Sequence, residues 1–489
     1  MTPPDGGEVL LRTTWVQPED LLGHELRQAA EDGRDPGPAL RAWVTAGGPL
    51  APERAGASPG PADPELRALA CRLLDELAAV PSPLAAAEPG SWEAVRATWP
   101  GSGGGLPDGD RPGREPVVPG AARPRTAGYG GGAQPPAADL TARLEAAWLG
   151  RAAGCLLGKP VEKLPLEGIR ALARAAGNWP LDDWFSARGV PPELLAAHPW
   201  NRRSAPTSLA ENIDGMPEDD DLNYPLLGLL LLQRHGKGFT TADVARLWLD
   251  ELPAGRTFTA ERVAYRNLLL GLEPPATATL HNPFREWIGA LIRADVHGWT
   301  HPGDPAAAAA RAYRDACLTH TGNGVYAALF VAAATAAAAT GRSDVHGALR
   351  AGLAVVPPRS RLAEAIRFGI GAARGEARFD TVVDALHARY GHYHWVHAVP
   401  NTALIAAALT HADGDFTHSI CRAVSGGWDT DSNGATAGAL AGILAGAPGN
   451  LPHRWTAPLK NRLSSSVAGF DGIGFDTLAH LTAQEAARS

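Results

Sequence analysis

Residues 427–447 read GWDTDSNGATAGALAGILAGA and join an acidic motif to a regular row of glycines. A second row lies within residues 148–162, WLGRAAGCLLGKPVE. The glycines that recur every four residues are Gly150, Gly154 and Gly158, and Gly434, Gly438, Gly442 and Gly446. Glycine inside a helix costs about 1 kcal/mol relative to alanine, so both rows need a reason. They predict two helices whose backbones approach closely. Taken alone, the glycines fit purely structural packing as well as packing that serves a functional site.

The sequence around these rows predicts an all-α fold. From Asp139 onward, long segments rich in Ala and Leu alternate with turn signals, and Asp139 is a favourable N-cap. Leu140, Leu144 and Trp148 then follow at helical spacing. No segment shows the sustained alternation of β-branched residues that is typical of strands. We therefore predict one helical domain over residues 139–489.

The first part of the chain has a different character. Pro18 and the two acids after it open a helical pattern, and a second pattern covers residues 64–80. Residues 101–138 are dominated by Gly and Pro and contain few large apolar groups, which is typical of a flexible linker. We predict a helical N-terminal extension over residues 1–100, followed by a linker over residues 101–138.

Composition limits the classes of partner and the compartment. The formal net charge is −8, which argues against nucleic acid as the main partner. The four cysteines, Cys71, Cys155, Cys317 and Cys421, show no C-x-x-C spacing, so we expect no disulfide framework or structural zinc and a reducing cytoplasm. The N-terminus lacks the pattern of a signal peptide, and the longest apolar stretches are short or rich in Ala and Gly. We expect no membrane partner.

Two acidic clusters stand directly before apolar helical segments. The first is Glu218-Asp219-Asp220-Asp221, and the second is the D-x-D-S of Asp429, Asp431 and Ser432. A solvated charge run, or a helix cap with incidental acids, is the simplest interpretation of each cluster alone. Unpaired charges beside a core helix are costly, however, and a divalent cation removes that conflict. Hard oxygen ligands suit Mg²⁺, Mn²⁺ or Ca²⁺ rather than zinc, and two such clusters together suggest a two-metal site.

Three motifs carry a specific resemblance. They are G-x-x-x-G-K-P-x-E at Gly154–Glu162, the run Asp219–Asp221, and GWDTDSNGAT at Gly427–Thr436. Together they resemble the ADP-ribosylglycohydrolase family, in the form of the dinitrogenase reductase-activating glycohydrolases, over about residues 140–480. The N-terminal region, with Trp15 and residues 25–28, resembles an extension seen in one bacterial branch of that family.

The resemblance implies a compact, orthogonal multi-helix domain with a smaller helical extension, and two Mg²⁺ ions for which Mn²⁺ can substitute. The metal ligands that it implies are Asp219, Asp220, Asp221, Asp429, Asp431 and Ser432. The first motif departs from the usual T-D-D-T, because Asp219 and Leu222 stand where the family has threonines. A shift by one residue, which makes Glu218, Asp219 and Asp220 the triplet, stays open.

The resemblance also implies the reaction and its residues. The reaction would be hydrolysis of a ribosyl N- or O-glycosidic bond, in an ADP-ribosylated protein or a ribosylated small molecule. Glu162, Asp220 and Asp429 are the candidate catalytic carboxylates, any of which could act as general base. We assign substrate binding to Gly158, Lys159, His320, Gly322, Tyr393, His397, Asn401, Gly427 and Trp428. The competing interpretation of His320 is a buried structural histidine. His392, His394 and His397 could also be read as zinc ligands, but their spacing is loose and this interpretation is the weaker one.

Three other functions remain open from the sequence. One is a hydrolase of a nucleoside- or nucleotide-derived metabolite on the same fold. Another is a helical terpenoid or prenyl synthase, whose aspartate-rich motif residues 219–223 could imitate. Aromatic residues make up only 6% of the chain, which offers little to line a cavity for carbocations. The third is a non-catalytic module that binds ADP-ribose, although the expected ligand positions all keep oxygen side chains.

Overall fold

The computed structural model describes residues 14–51, 60–100 and 137–488. These residues form 23 α-helices joined by turns and short 3₁₀ segments, and their only β-type pairing is three isolated bridges. The predicted all-α class is therefore confirmed. The described cysteines are all free thiols.

Four helices precede residue 100: α1 (Pro18–Glu31), α2 (Gly37–Thr45), α3 (Pro64–Ala79) and α4 (Trp92–Ala97). The helical patterns that begin at Pro18 and Pro64 are thus confirmed. Each proline occupies the first turn, where its missing N–H costs nothing. The Asp63 carboxylate caps α3 by accepting a hydrogen bond from the Glu65 N–H at 2.8 Å.

Nineteen helices follow in the larger, C-terminal part of the chain. They are α5 (Ala137–Gly158), α6 (Leu166–Ala175), α7 (Pro192–Ala197), α8 (Ala205–Ser208), α9 (Asp220–His235), α10 (Thr241–Glu251), α11 (Thr259–Leu269), α12 (Ala276–Thr279), α13 (Asp295–Trp299), α14 (Pro305–Ala316), α15 (Gly322–Ala339), α16 (Val345–Ala354), α17 (Arg361–Ala373), α18 (Phe379–Tyr390), α19 (Ala398–Ala412), α20 (Phe416–Ser425), α21 (Thr430–Ala445), α22 (His453–Thr456) and α23 (Phe475–Ala487). Asp139 lies inside the first turn of α5 rather than at its N-cap, where a carboxylate still interacts favourably with the helix dipole.

Helices α5 and α21 run antiparallel with their backbones in contact. A Cβ atom on Gly154 would lie 1.9 Å from the carbonyl oxygen of Gly434, and one on Gly438 would lie 2.1 Å from that of Gly150. The predicted close approach is therefore confirmed. Gly446 is the exception, because it follows the end of α21 with φ +89° and acts as a C-cap. The antiparallel pairing brings the C-terminal end of α5 beside the N-terminal end of α21.

Helix α15 has the length and apolar character of a membrane span, with a mean hydropathy of 1.4 over 18 residues. Of that window, 89% is buried inside the protein. Half of its residues are alanines, which let neighbouring helices pack closely against it. This is the pattern expected of a central core helix.

The N-terminal helices share a core with the C-terminal part. Leu21, Leu22 and Trp43 belong to one buried apolar cluster with Phe284 and Trp287. Buried polar bonds reinforce this contact. The Arg285 guanidinium binds the carboxylates of Glu25 at 2.6 Å and Asp32 at 2.7 Å, and the Gln28 amide donates to Glu286 at 2.9 Å. The extension is docked on the larger domain.

His24 makes this docked interface sensitive to acid. Its ring lies among the rings of Trp15, Phe284, Trp287 and His394, and neither ring nitrogen has a hydrogen-bond partner within the described part of the chain. Burial lowers the pKa of His24 to about 3. An unfolded histidine titrates near 6.5. The contribution of the neutral His24 to the free energy of unfolding is therefore fully present above pH 6.5 and is lost as the pH falls towards 3.

We therefore expect His24→Phe to reduce the acid sensitivity of the docked extension. Between pH 7 and pH 5 the wild-type protein should lose about 2 kcal/mol more stability than the variant, because protonation of the buried ring is penalised only in the folded state. Denaturant titrations followed by tryptophan fluorescence at the two pH values measure this difference. Equal losses in both proteins would contradict the assignment.

The linker prediction concerns residues 101–138, of which 101–136 lie outside the described residues, so it stays a prediction. We expect limited trypsin digestion to cut first after Arg114 or Arg125, because Gly and Pro surround both sites and neither is followed by proline. Mass spectrometry of the earliest fragments identifies the cut. A first cut within residues 150–480 would show that the domain boundary is misplaced.

Candidate active site

Three helix ends converge on one cavity. They are the C-terminal end of α5, the N-terminal end of α9 and the N-terminal end of α21. The Thr430 hydroxyl donates to the carbonyl oxygen of Gly158 at 2.8 Å and ties α21 to α5, while the buried Lys159 ammonium pairs with Asp219 at the start of α9. The cavity that they border has a volume of about 460 Å³. The two predicted acidic clusters, more than 200 residues apart in sequence, therefore meet.

The cavity wall is strongly acidic. Among the described residues, its carboxylates are Glu162, Glu218, Asp219, Asp220, Glu261, Asp429 and Asp431, and its cationic side chains are Lys159, Lys163, Arg203 and Arg256. Ser432 adds a hydroxyl, and Trp15, Trp287, His394 and Trp395 add aromatic rings. Several of the cations are already paired: Lys163 with Glu162 at 3.0 Å and Arg256 with Glu218 at 3.1 Å.

The carboxylates at the centre of the cavity cannot all ionise as the protein stands. Burial and the neighbouring Asp219 and Asp221 raise the pKa of Asp220 well above its usual value, and burial and Asp431 do the same for Asp429. Burial and Glu162 raise the pKa of Asp431 to about 7. Like charges held this close in a buried site are stable only when protonated or when a cation lies among them.

A strained turn sets the direction of Asp429. Gly427 and Trp428 both adopt left-handed backbone, with φ +77° and +56°. The Trp428 ring stacks on His387 with centroids 3.9 Å apart, and this packing holds the turn. The side-chain oxygen of Asn401 accepts the Asp429 N–H at 3.1 Å and the Asn433 amide at 2.7 Å. Strain that the surrounding structure fixes in this way is typical of functional sites.

The family model described as ADP-ribosylglycohydrolase matches residues 136–486. The chain belongs to the ADP-ribosylglycohydrolase family. Family membership indicates a hydrolase that acts on glycosidic bonds. The family resemblance that the three sequence motifs indicate is therefore confirmed.

Two other comparisons complete this result. A solved structure described as an ADP-ribosylglycohydrolase-related protein complex is 21% identical to this chain in sequence, with a TM-score of 0.44. The match covers 71% of this chain and 98% of the chain in that structure. A search of curated proteins finds no match.

The structure distinguishes the two registers of the first acidic motif. Glu218, Asp219 and Asp220 line the cavity, but Asp221 does not. Asp220 and Asp221 are the first two residues of α9, and successive residues of a helix point about 100° apart, so Asp221 turns away from the direction of Asp220. The Asp221 carboxylate lies instead 3.5 Å from the buried Arg151 guanidinium, which also pairs with Asp295. The shifted triplet is the one that faces the cavity, and Asp221 is not placed there.

Cys155, Asp219 and Asp221 form the one described set of ligand atoms that lie within 4.8 Å of one another and can hold a metal ion. Burial raises the pKa of the Cys155 thiol well above its usual range, so it stays protonated. A neutral thiol is a poor ligand for a hard cation, and neither Cys155 nor Asp221 lines the cavity. The carboxylates that face the cavity offer the better donor set.

Most of the predicted substrate-binding residues lie behind the cavity wall. Lys159 lines the cavity, whereas Gly158, His320, Gly322, Tyr393, His397, Asn401, Gly427 and Trp428 do not. Gly158 permits close packing, because a Cβ there would lie 2.3 Å from Thr430 backbone atoms. Asn401, Gly427 and Trp428 shape the turn before Asp429. Their role in substrate binding stays a prediction.

His320, His397 and their neighbours also lie outside the cavity wall. His320 is buried with its Nδ1 2.6 Å from the Thr319 hydroxyl, which agrees with the interpretation as a structural histidine. His397 lies 3.6 Å from Glu286, and Gly322 packs against the same carboxylate with φ +49°. Tyr393 packs its ring 4.5 Å from that of His397. No zinc set that includes His392, His394 and His397 forms among the described residues.

Part of the cavity wall was not predicted from the sequence. Trp287, Glu261 and Arg256 line it, and His394 stacks on Trp287 with ring centroids 4.2 Å apart. Trp15 reaches it from the N-terminal extension. These side chains come from separate segments with no common spacing, so no pattern in the sequence connects them. Only the fold brings them together.

Proposed function

We propose that this protein is a magnesium-dependent hydrolase that cleaves a ribosyl N- or O-glycosidic bond, in an ADP-ribosylated protein or an ADP-ribose-like small molecule. The observation that carries the proposal is the convergence of the two acidic clusters on one cavity in a member of a glycohydrolase family. The substrate class is inferred from the name of the family.

The residues present fit a hard divalent cation. We propose Asp219, Asp220, Asp429, Asp431 and Ser432 as ligands, with Glu218 as a further oxygen donor. The raised pKa values of Asp220 and Asp429 show the charge conflict that a cation would remove. The set is all oxygen, which suits Mg²⁺ or Mn²⁺, and two ions can be accommodated by two clusters. When bound, Mg²⁺ would supply positive charge that attracts vicinal ribose hydroxyls and lowers the pKa of water.

The protein's own carboxylates supply the remaining chemistry. Cleavage of a ribosyl bond passes through an oxocarbenium-like transition state, whose positive charge a wall of carboxylates stabilises. A carboxylate that is ionised beside the cation and close to the sugar can accept a proton from water. We propose Asp429 as the first candidate for the general base, because Asn401 and the strained turn fix its position.

Glu162 has a different environment from Asp429. It accepts a hydrogen bond from the Asn201 amide at 2.7 Å and pairs with Lys163 at 3.0 Å. These two contacts engage both carboxylate oxygens, so we propose that Glu162 stabilises the sugar electrostatically and is a weaker candidate for proton abstraction. Asp220 remains the second candidate for the base. The charged cavity wall offers little to an apolar prenyl chain, so no observation favours the synthase alternative.

A substrate panel tests the proposed function. ADP-ribosyl-arginine, ADP-ribosyl-serine and simple nucleosides are incubated with the full chain, and released ADP-ribose or ribose is measured with Mg²⁺ and with a chelator. We expect release from at least one substrate with Mg²⁺ only. Binding of ADP-ribose without any turnover would indicate a binding module, and release that is equally fast in the chelator would overturn the metal dependence.

A further inference from the structure

Trp15 is the one residue of the N-terminal extension, as far as the structure describes it, that lines the candidate active-site cavity. The family match begins only at residue 136, so this ring comes from outside the matched domain. Its side chain is half-buried, packed edge-on against Phe284 with ring centroids 5.5 Å apart. The remaining surface of the ring contributes to the cavity wall.

The backbone of Trp15 is held in an unfavourable conformation. Its φ is +68°, a region that a bulky side chain seldom adopts and that the surrounding structure must enforce. Two arginines of α11 provide that constraint. Arg262 donates to the hydroxyl and carbonyl oxygens of Thr14 at 3.1 and 3.4 Å, and Arg266 donates to the carbonyl oxygen of Val16 at 3.1 Å. The residues on both sides of Trp15 are therefore anchored to the larger domain.

Trp15 also stands at the junction of the cavity with a second depression. This groove has a volume of about 630 Å³ and shares Trp15, Glu162, Lys163, Asn201, Arg203 and Phe258 with the cavity. Arg202 and Arg262 line the groove alone, so it is richer in cations than the acidic cavity. A substrate that extends from the cavity into the groove crosses a boundary to which the Trp15 ring contributes.

We propose that Trp15 is a substrate-positioning residue that the N-terminal extension supplies to the active site, where its ring stacks on a planar aromatic ring attached to the ribosyl group. This inference rests on the proposed function. An indole offers a flat, amphipathic surface that stacks on any aromatic ring without requiring a particular hydrogen-bond pattern. The ring can belong to the leaving group or to a nucleobase on the other side of the ribose, and both have the same stacking chemistry.

The test compares wild type, Trp15→Ala and Trp15→Phe in the full chain, with Val44→Ala as the control on the exposed surface of α2. The probes are ADP-ribose, whose planar ring is a nucleobase, 4-nitrophenyl riboside, whose ring is the leaving group, and ribose, which has none. Affinity is measured by calorimetry with Mg²⁺ present, and KM and kcat are measured where turnover occurs. Circular dichroism reports whether each variant is folded.

We expect Trp15→Ala to lower the affinity for one of the two ring-bearing probes by about tenfold, with a larger change in KM than in kcat. Trp15→Phe should restore most of that affinity. The probe affected identifies the ring. Affinities within twofold of wild type for both probes would overturn the inference, as would equal weakening of ribose or failure of phenylalanine to rescue a folded protein. Binding without turnover would contradict the proposed function alone, whereas turnover that ignores Trp15 would contradict this inference alone.

Discussion

Gly154→Ala is expected to lower the free energy of unfolding by at least about 4 kcal/mol, or to prevent folding. The added methyl group would lie 1.9 Å from the carbonyl oxygen of Gly434, and both contact partners are helix backbone that no side-chain rotation can move. The helices α5 and α21 would have to separate along their shared length. Because Asp429 and Lys159 stand at the ends of these helices, the cavity would open as well. Denaturant titration followed by circular dichroism measures the loss.

Gly371→Ala is the matched control for this prediction. Gly371 also lies inside a helix, α17, but a Cβ atom there would have no neighbour within 4 Å. Alanine should therefore be neutral or should stabilise the protein by up to about 1 kcal/mol through helix propensity. A Gly154→Ala protein that is as stable as the Gly371→Ala protein would contradict the close helix contact.

Asp429→Asn is expected to reduce kcat by about 10²–10⁴-fold on whichever substrate the panel identifies. The amide keeps the size of the side chain and leaves the backbone hydrogen bond to Asn401 in place, but it removes the charge that a cation needs and the basicity that a proton acceptor needs. Folding should be preserved or improved, because the substitution relieves repulsion with Asp431. Steady-state kinetics together with a thermal melt separate these effects.

The control for this variant is Asp413→Asn, at the C-terminal end of α19. Its carboxylate is 81% exposed, lies outside the cavity wall and, within the described part of the chain, pairs only with His346. Asparagine also tolerates the left-handed backbone of this residue, φ +49°. Its kcat should equal that of wild type. An Asp429→Asn protein within threefold of that rate would remove Asp429 from the proposed mechanism.

The features that the sequence predicted correctly are local ones. The glycine rows specify a close helix contact because the spacing of four residues repeats on one helix face. The acidic motifs could be located because carboxylates beside core helices need a partner. The spacing did not indicate which of four adjacent acids faces the cavity: Asp221 lies beside Arg151 and outside the cavity wall, and its assignment as a ligand stays a prediction.

The features that the sequence could not supply depend on tertiary packing. Asn401 and His397 stand in recognisable motifs, but a motif fixes a position in the chain and not the direction of a side chain. Asn401 thus holds the backbone of Asp429 instead of lining the cavity. Trp15 and Trp287 are 272 positions apart, yet both line one wall because the extension docks on the larger domain.

The most direct test of the account is a calorimetric titration of Mg²⁺ into wild type, Asp220→Ala and Asp431→Ala at pH 7.5. Asp220 belongs to the first acidic cluster and Asp431 to the second, so a cation held between them depends on both. We expect binding to the wild-type protein and no measurable binding to either variant, with all three proteins folded by circular dichroism. Wild-type affinity in both folded variants would contradict the claim that the two clusters form one metal site.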